Sequence, residues 1–265
     1  MREKEYRASN GISRSELWQL RESPEKFKWA QDHPEEATPA LIFGSLVHKL
    51  LLEPEAFDED FAIMPDVDRR TKAGKEAFAS FLSGAEEKTI ITLDDYKKAS
   101  EMAQKAKETP FVNKLLNGEH EKAFYWNDDL TNELCKIRLD CISEISGKKI
   151  IVDYKTTANA STDSFMRSAI NYGYDFQAAM YCEGYEKSTG EKPLFVFIVQ
   201  EKEPPYAVNI LQADEYFLKR GYDIFRELVG IYHDCKESGN WYGYLGAYDV
   251  INNLALPSYL AKDVL

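Results

Sequence analysis

The sequence predicts an α/β fold: a central mixed β-sheet flanked by helices, with a mainly helical N-terminal portion. Three observations carry this. Helix caps and helical apolar spacing dominate residues 1–118. From about Glu121 the apolar period falls to two, over three successive strands. Beyond Ser161, helical segments alternate with two further strands.

The elements follow in order. Ser13-Arg-Ser-Glu16 is a capping box, opening a helix that runs to about Leu20. Ser23 and Pro24 restart a helix with proline at its first position. Residues 41–52 read as a third helix, with Phe43, Val47, Leu50 and Leu51 on its apolar side. A basic, glycine-containing stretch occupies residues 68–75. Helices are expected at 75–82 and 94–107, the second entered from Thr92. Residues 121–127 and 133–143 alternate around a turn rich in Asn and Asp, so they form a hairpin. Ser146-Gly147 turns the chain into a third strand, residues 149–155. Helices at 162–169 and 175–188 come next. Strands at 193–200 and 206–211, joined at Pro204-Pro205, lead to a long helix at 213–235. The tail, with Trp241, Tyr242, Tyr244, Tyr248 and Tyr259, is aromatic without a period. No repeat or long linker divides the chain. A single domain spanning 1–265 is expected, its helical portion lying over one edge of the sheet.

Composition bounds the function. A chain of 265 residues with 44% hydrophobic and 29% charged residues buries a core without staples. Disorder, collagen-like repeats and a disulfide miniprotein are excluded. Against 33 Lys and Arg stand 45 Asp and Glu, a net charge of −12. Taken alone, that balance argues against a polyanionic partner. Residues 66–110 hold nine basic and nine acidic groups, however, so the excess lies outside that segment. Five of the first seven residues are charged, with no secretory signal, and no apolar stretch reaches bilayer length. A cytoplasmic protein without a membrane is expected. Cys135 and Cys141 share parity with Ile137 and Leu139, so both read as inward residues of one strand. None of the four cysteines forms a Cys-x-x-Cys pair, which argues against a zinc or iron–sulfur site.

The chemistry concentrates at Asp140 and at Asp153-Tyr-Lys155. Residues two apart on a strand share a face, so Asp153 and Lys155 project together. The hairpin-like turn lays the strand carrying Asp140 alongside. Two carboxylates and an ammonium then meet at one place on a sheet. Neighbouring carboxylates repel unless a cation neutralises them, and hard oxygen donors favour Mg²⁺ or Mn²⁺. Asp153 follows the apolar run Ile150-Ile-Val, where an uncompensated charge is costly.

Asp140 with Asp153-Tyr-Lys155 resembles the PD-(D/E)xK motif of restriction-endonuclease-like nucleases. Gly44-Ser-Leu-Val-His48 and Gln177-Ala-Ala-Met-Tyr181 resemble the Gly-x-x-x-His and Gln-x-x-x-Tyr helix motifs of the RecB-like branch. His48 to Pro54, Arg69 to Glu76, Asp153 to Thr157 and Pro193 to Phe197 resemble phage RecE-type exonucleases. The likeness runs from about Ile12 to Leu260.

The resemblance implies a restriction-endonuclease-like core and a Mg²⁺- or Mn²⁺-dependent exodeoxyribonuclease using two ions. Its substrate would be linear double-stranded DNA, digested 5′ to 3′ from the ends. His48, Asp140, Asp153 and the Tyr154 carbonyl would hold metal, and Lys155 would position the attacking water. Gln177 and Tyr181 would contact the scissile phosphate or the DNA end. Gly44 would leave room beside His48. Glu121 is either a supporting acid or a solvated strand start. Thr156 and Thr157 either bond phosphate or simply finish a strand. Arg69, Arg70, Lys72 and Lys75 form the sharpest basic cluster and are expected on the DNA backbone. The family also implies a homo-oligomeric ring and a single-strand annealing recombinase as partner. Rival readings are a same-fold endonuclease, a single-strand-preferring nuclease, and a non-catalytic DNA-binding or scaffold protein.

Overall fold

The computed structural model describes residues 3–34, 36–246, 251 and 253–256. The tail positions Tyr248, Tyr259 and Leu260 lie outside the described residues, as do Met1 and Arg2.

The chain begins with α1 (Glu3–Ala8), β1 (Ile12–Ser13), α2 (Arg14–Leu20), α3 (Pro24–Asp32) and α4 (Pro39–Leu52). A 3-10 turn, α5 (Phe57–Asp60), β2 (Phe61–Ile63), α6 (Lys72–Gly84), β3 (Thr89–Ile91), α7 (Leu93–Glu108) and α8 (Pro110–Leu116) follow. Then come β4 (Glu119–Asn127), β5 (Leu134–Ile145), β6 (Lys148–Thr157), α9 (Thr162–Tyr172) and α10 (Tyr174–Thr189). β7 (Leu194–Glu201), β8 (Val208–Gln212) and α11 (Glu215–Ser238) complete it. The long elements coincide with the sequence expectation. The short ones were not foreseen, because a strand of two or three residues carries no period.

Local chemistry sets the helix starts. Ser13 accepts from the Glu16 N–H, and the Glu16 carboxylate accepts from the Ser13 N–H at 2.8 Å. Ser23, Thr38, Thr71 and Thr92 cap α3, α4, α6 and α7 in the same way. The helix expected from Lys75 begins three residues earlier, because Thr71 Oγ1 accepts from the Gly74 N–H at 3.0 Å. Gly74 is required inside this first turn. A Cβ there would lie 2.0 Å from the Asp68 carbonyl oxygen.

One six-stranded mixed sheet forms the core, in the order β1-β5-β6-β7-β8, with β4 also on β5. β4 lines one side of β5 from Leu134 to Ile142. On the other side β1 pairs only with Cys135 and Lys136, and β6 only with residues 141–145. β5 therefore has an unpaired notch at residues 137–140 between β1 and β6. β6 runs parallel to β7 and is joined to it through α9 and α10, and β8 returns antiparallel.

Each face of the sheet carries its own core. Phe27, Phe165, Phe176 and Phe225 bring α3, α9, α10 and α11 onto one face, together with Leu17 of α2. Leu46, Met102 and Leu115 bring α4, α7 and α8 onto the other. The N-terminal helices thus divide between the faces.

The strand parity expected for the cysteines changes near the notch. Cys135, Ile137 and Leu139 face the first core, but Cys141 belongs to the second, while Ile142 returns to the first. The cause lies opposite Asp140. Lys122 pairs with Leu139 and His120 with Cys141, but no Glu121–Asp140 rung is made between them. Glu121 has a left-handed backbone, with φ 52°. This break in the ladder lets the pleat slip by one residue. All four cysteines are buried free thiols. No helix of the described residues is long and apolar enough to cross a membrane.

Candidate active site

The notch in β5 places the acids. Continuing the β5–β6 register, the next rung beyond Cys141–Val152 would pair Asp140 with Asp153, and it is not made. Instead the Asp140 side chain takes over the ladder's role, as Tyr154 N–H donates to Asp140 Oδ2 at 2.9 Å. The two strands splay where their carboxylates meet. α4 covers this point from the second core, and His48 Nε2 reaches the Tyr154 carbonyl at 2.7 Å and Asp140 Oδ2 at 3.6 Å. Gly44, one turn earlier, leaves open space, since a Cβ there would touch only Thr156 Oγ1 at 3.8 Å.

Two sub-clusters result. In the first, ligand atoms of His48, Glu121 and Asp140 all lie within 4.8 Å of one another. Arg138 Nε holds Glu121 Oε2 at 3.0 Å, and Glu3 is its second acid at 3.7 Å. Burial pushes the Glu121 carboxyl well above its ordinary range, and Asp140 adds to this. In the second, Asp153 is 1% exposed and sits between Lys155 Nζ at 2.6 Å and the Gln177 amide, which donates at 2.5 Å. Burial raises the Asp153 carboxyl, Lys155 opposes that, and Asp140 reinforces it. For Lys155, burial works against the charge, but Asp153, Tyr174 and Asp140 outweigh it and keep the ammonium protonated.

This donor set fits a hard divalent cation. It combines carboxylate oxygens with one imidazole, and Asp153 Oδ2 has the Lys155 ammonium at 2.6 Å as its neighbour but no further hydrogen-bond donor among the described residues. The close three-residue group differs in one member from the set that the motifs implied. Glu121 stands in it, while the Asp153 carboxylate faces Lys155 and Gln177.

The remaining expected residues fall in two places. Tyr181 is partly buried against Phe195, with ring centroids 6.3 Å apart, and burial raises its phenol well above the ordinary value. Thr156 faces Gly44, whereas Thr157 Oγ1 accepts from Asn159 N–H at 3.3 Å and so closes the strand end. The basic residues form a separate, exposed group at the start of α6. Arg69 stacks over the Phe78 ring at 4.7 Å. Arg70 pairs with Asp68 at 3.0 Å, Lys72 lies 3.9 Å from Glu76, and Lys75 is exposed. No described hydrogen bond or ion pair joins this group to the acids.

Sequence reasoning missed Arg138, Arg14 and Tyr174. Arg138 shares the parity of Asp140, which could have flagged it. Arg14 offers no such signal, because it comes from a distant helix start. Its Nη2 donates to the carbonyl oxygens of Tyr172 and Gly173, the latter at 2.9 Å.

Comparison with known proteins bears on the fold and the family. Residues 13–253 match the family described as a PDDEXK-like domain of unknown function. A crystal structure from Eubacterium rectale, described as a "Putative exonuclease", superposes with a TM-score of 0.59 at 15% identity. The match covers 100% of this chain and 97% of that one, and it speaks to the fold. The structure of SSO0001 aligns at 13% identity and a TM-score of 0.41, over 86% of this chain and 81% of that chain. No curated protein matches the sequence. The family match spans the notch, both acids and the lysine, and the sheet has the restriction-endonuclease-like layout: this chain belongs to the family of PDDEXK-like domains.

Proposed function

We propose that this protein is a metal-dependent deoxyribonuclease that degrades linear double-stranded DNA from its ends. The observation that carries this reading is the meeting of Asp140, Asp153 and Lys155 at one break in the sheet, with His48 and Glu121 alongside. The RecE-type motifs supply the finer terms: 5′ to 3′ digestion that leaves 3′ single strands for annealing. The description of the Eubacterium rectale protein as a "Putative exonuclease" points the same way.

His48, Asp140, Asp153 and the Tyr154 carbonyl would hold two Mg²⁺ or Mn²⁺ ions, with Glu121 beside them. The ions would neutralise the phosphate and acidify a bound water. The chain's own groups do the rest. Lys155 would position the attacking water and stabilise negative charge developing on the phosphoryl oxygens. Gln177 fixes the orientation of the Asp153 carboxylate. Arg69, Arg70, Lys72 and Lys75 would track the DNA backbone as point charges. A homo-oligomeric ring and an annealing recombinase partner complete the reading, on the family resemblance alone.

The test uses purified protein, Mg²⁺ and linear duplex labelled at either end. Loss of label from 5′ ends, an intact covalently closed circle, and inactive Asp153→Ala and Lys155→Ala variants are expected. Cleavage of the closed circle would favour the endonuclease. Full activity in either variant, or without divalent ions, would overturn the mechanism. Metal-insensitive DNA binding without cleavage would favour the non-catalytic reading.

A further inference from the structure

We infer that Tyr172 and Tyr174, flanking the α9–α10 junction, form a platform on which an unpaired base of the bound DNA strand stacks beside Lys155. The inference rests on the nuclease reading above and extends it to how the strand end is held.

The junction is a single residue, Gly173, in the left-handed region with φ 65°. A Cβ there would lie 2.4 Å from the Trp18 ring, so only glycine fits. Arg14 pins the same backbone through the carbonyls of Tyr172 and Gly173. Its guanidinium lies 5.3 Å from the Trp18 centroid and 5.7 Å from that of Phe176. Its Nε is buried without a partner. The two tyrosines are therefore held on a stiff corner.

Their surroundings differ. Tyr174 is rooted in the core, stacked on Phe165 at 5.7 Å and leaning on Phe197 at 6.0 Å. Lys155 Nζ stands 4.8 Å from its centroid, so the ring borders the ammonium proposed to act on the phosphate. Tyr172 lies next along, 5.8 Å from Tyr174 and tilted by 32°, yet it is 60% exposed. A large ring is thus kept in water at the lip of the site, two contacts from the catalytic lysine.

The chemistry of the corner selects the occupant. Aromatic faces next to fixed cations are how proteins hold single-stranded nucleic acid without reading its sequence. A flat base attached to a phosphate at Lys155 would find Tyr172 or Tyr174 within one nucleotide. Inside the duplex both faces of a base are covered by its neighbours, and at the end only the outer face is bare; a base released from its terminal pair can turn a face to the ring while its phosphate lies at Lys155. On this reading at least one terminal pair opens on binding, and a cross-linked terminal pair tests this against simple capping of a closed end.

The experiment places 2-aminopurine at successive terminal positions of a linear duplex with a frayed end. Ca²⁺ serves to support binding without cleavage. Wild-type protein should quench fluorescence at one position. Tyr172→Ala should abolish that quenching and weaken binding about 5- to 150-fold, the equivalent of one lost base stack. Tyr172→Trp should restore both. Cross-linking the terminal pair should erase the difference between wild type and Tyr172→Ala. Thermal midpoints should stay level, since the ring is exposed, and Tyr172→Gln replaces Tyr172→Ala if the latter folds poorly. Wild-type affinity and quenching in a folded Tyr172→Ala protein would overturn the platform while leaving the nuclease reading intact. Failure of the wild type to bind any DNA end would overturn both.

Discussion

Glu121→Gln should stabilise the protein in the absence of divalent ions, and only at neutral or alkaline pH. Glu121 is 8% exposed and shares its surroundings with Asp140, its ligand atom within 4.8 Å. Repulsion from Asp140 and attraction to Arg138 at 3.0 Å are each about a few kcal/mol at an effective dielectric of about 20, and they oppose one another. Burial tips the balance against the ionised form, and the carboxyl is pushed up from 4.5 to about 7. An acid whose folded-state pKa is raised loses stability as pH climbs from its unfolded value to its folded value, because the unfolded chain releases its proton first. The penalty starts near pH 4.5 and is complete above about pH 7. At about 1.4 kcal/mol per pH unit of separation, it cannot exceed about 3.5 kcal/mol. In the variant Arg138 keeps only Glu3, at 3.7 Å, which takes back part of the gain. The expected net is about 1–2 kcal/mol at pH 8, fading toward pH 5. Urea unfolding in EDTA at the two pH values measures it. Adding Mg²⁺ should stabilise the wild type more than the variant. A loss of stability at pH 8, or a gain independent of pH, would refute the reasoning.

Three further outcomes are expected. Gly221→Ala should destabilise by about 1–3 kcal/mol in urea unfolding, although alanine is the better helix former by about 1 kcal/mol, because its Cβ would lie 2.0 Å from the Asp175 carbonyl oxygen. Lys136→Met should lose about 1–3 kcal/mol and speed amide exchange in α1. Lys136 Nζ donates to the carbonyls of Tyr6, Arg7 and Ser9 at 3.1, 3.2 and 2.6 Å; methionine removes this donor from all three, and the Tyr6 carbonyl keeps only the Ser9 amide and hydroxyl. Lys75→Gln should weaken DNA binding at every sequence and lower the salt slope by about one; an unchanged slope would place α6 away from the DNA.

The sequence made the long elements legible because their signals are local. Ser13, Ser23 and Thr92 announce helix starts through bonds made within three residues, and those bonds are present. The strand period likewise located β4 to β7. It failed at Cys141, where the strand changes which core it faces. That reversal depends on the missing Glu121–Asp140 rung, a relation between positions far apart along the chain. The same holds at the site. Asp153 and Lys155 are two residues apart, and their pairing could be read directly. Glu121 joining His48 and Asp140, and Arg14 reaching the Tyr172 carbonyl, depend on how three or four elements pack. Alternation and caps carry no information about such meetings. The basic run shows the converse limit: it is plain in the sequence, but Arg70 is already paired with Asp68 and Lys72 stands near Glu76.

The splayed strands also bear on how this protein can be dissected by mutation. Asp140 Oδ2 is the acceptor for the Tyr154 N–H, on a strand whose neighbouring rungs have ended. Alanine at 140 would delete a ligand and a structural peg together. It would orphan the Tyr154 amide and loosen the β5-facing edge of β6, while the other edge stays paired with β7 from Asp153 to Thr157. An inactive Asp140→Ala protein would then mix a lost carboxylate with an unsatisfied Tyr154 amide beside Asp153 and Lys155. Asparagine, with its amide oxygen toward Tyr154, keeps the peg and removes only the charge. Comparing the two substitutions separates an acid that participates from an acid that merely holds the door frame square.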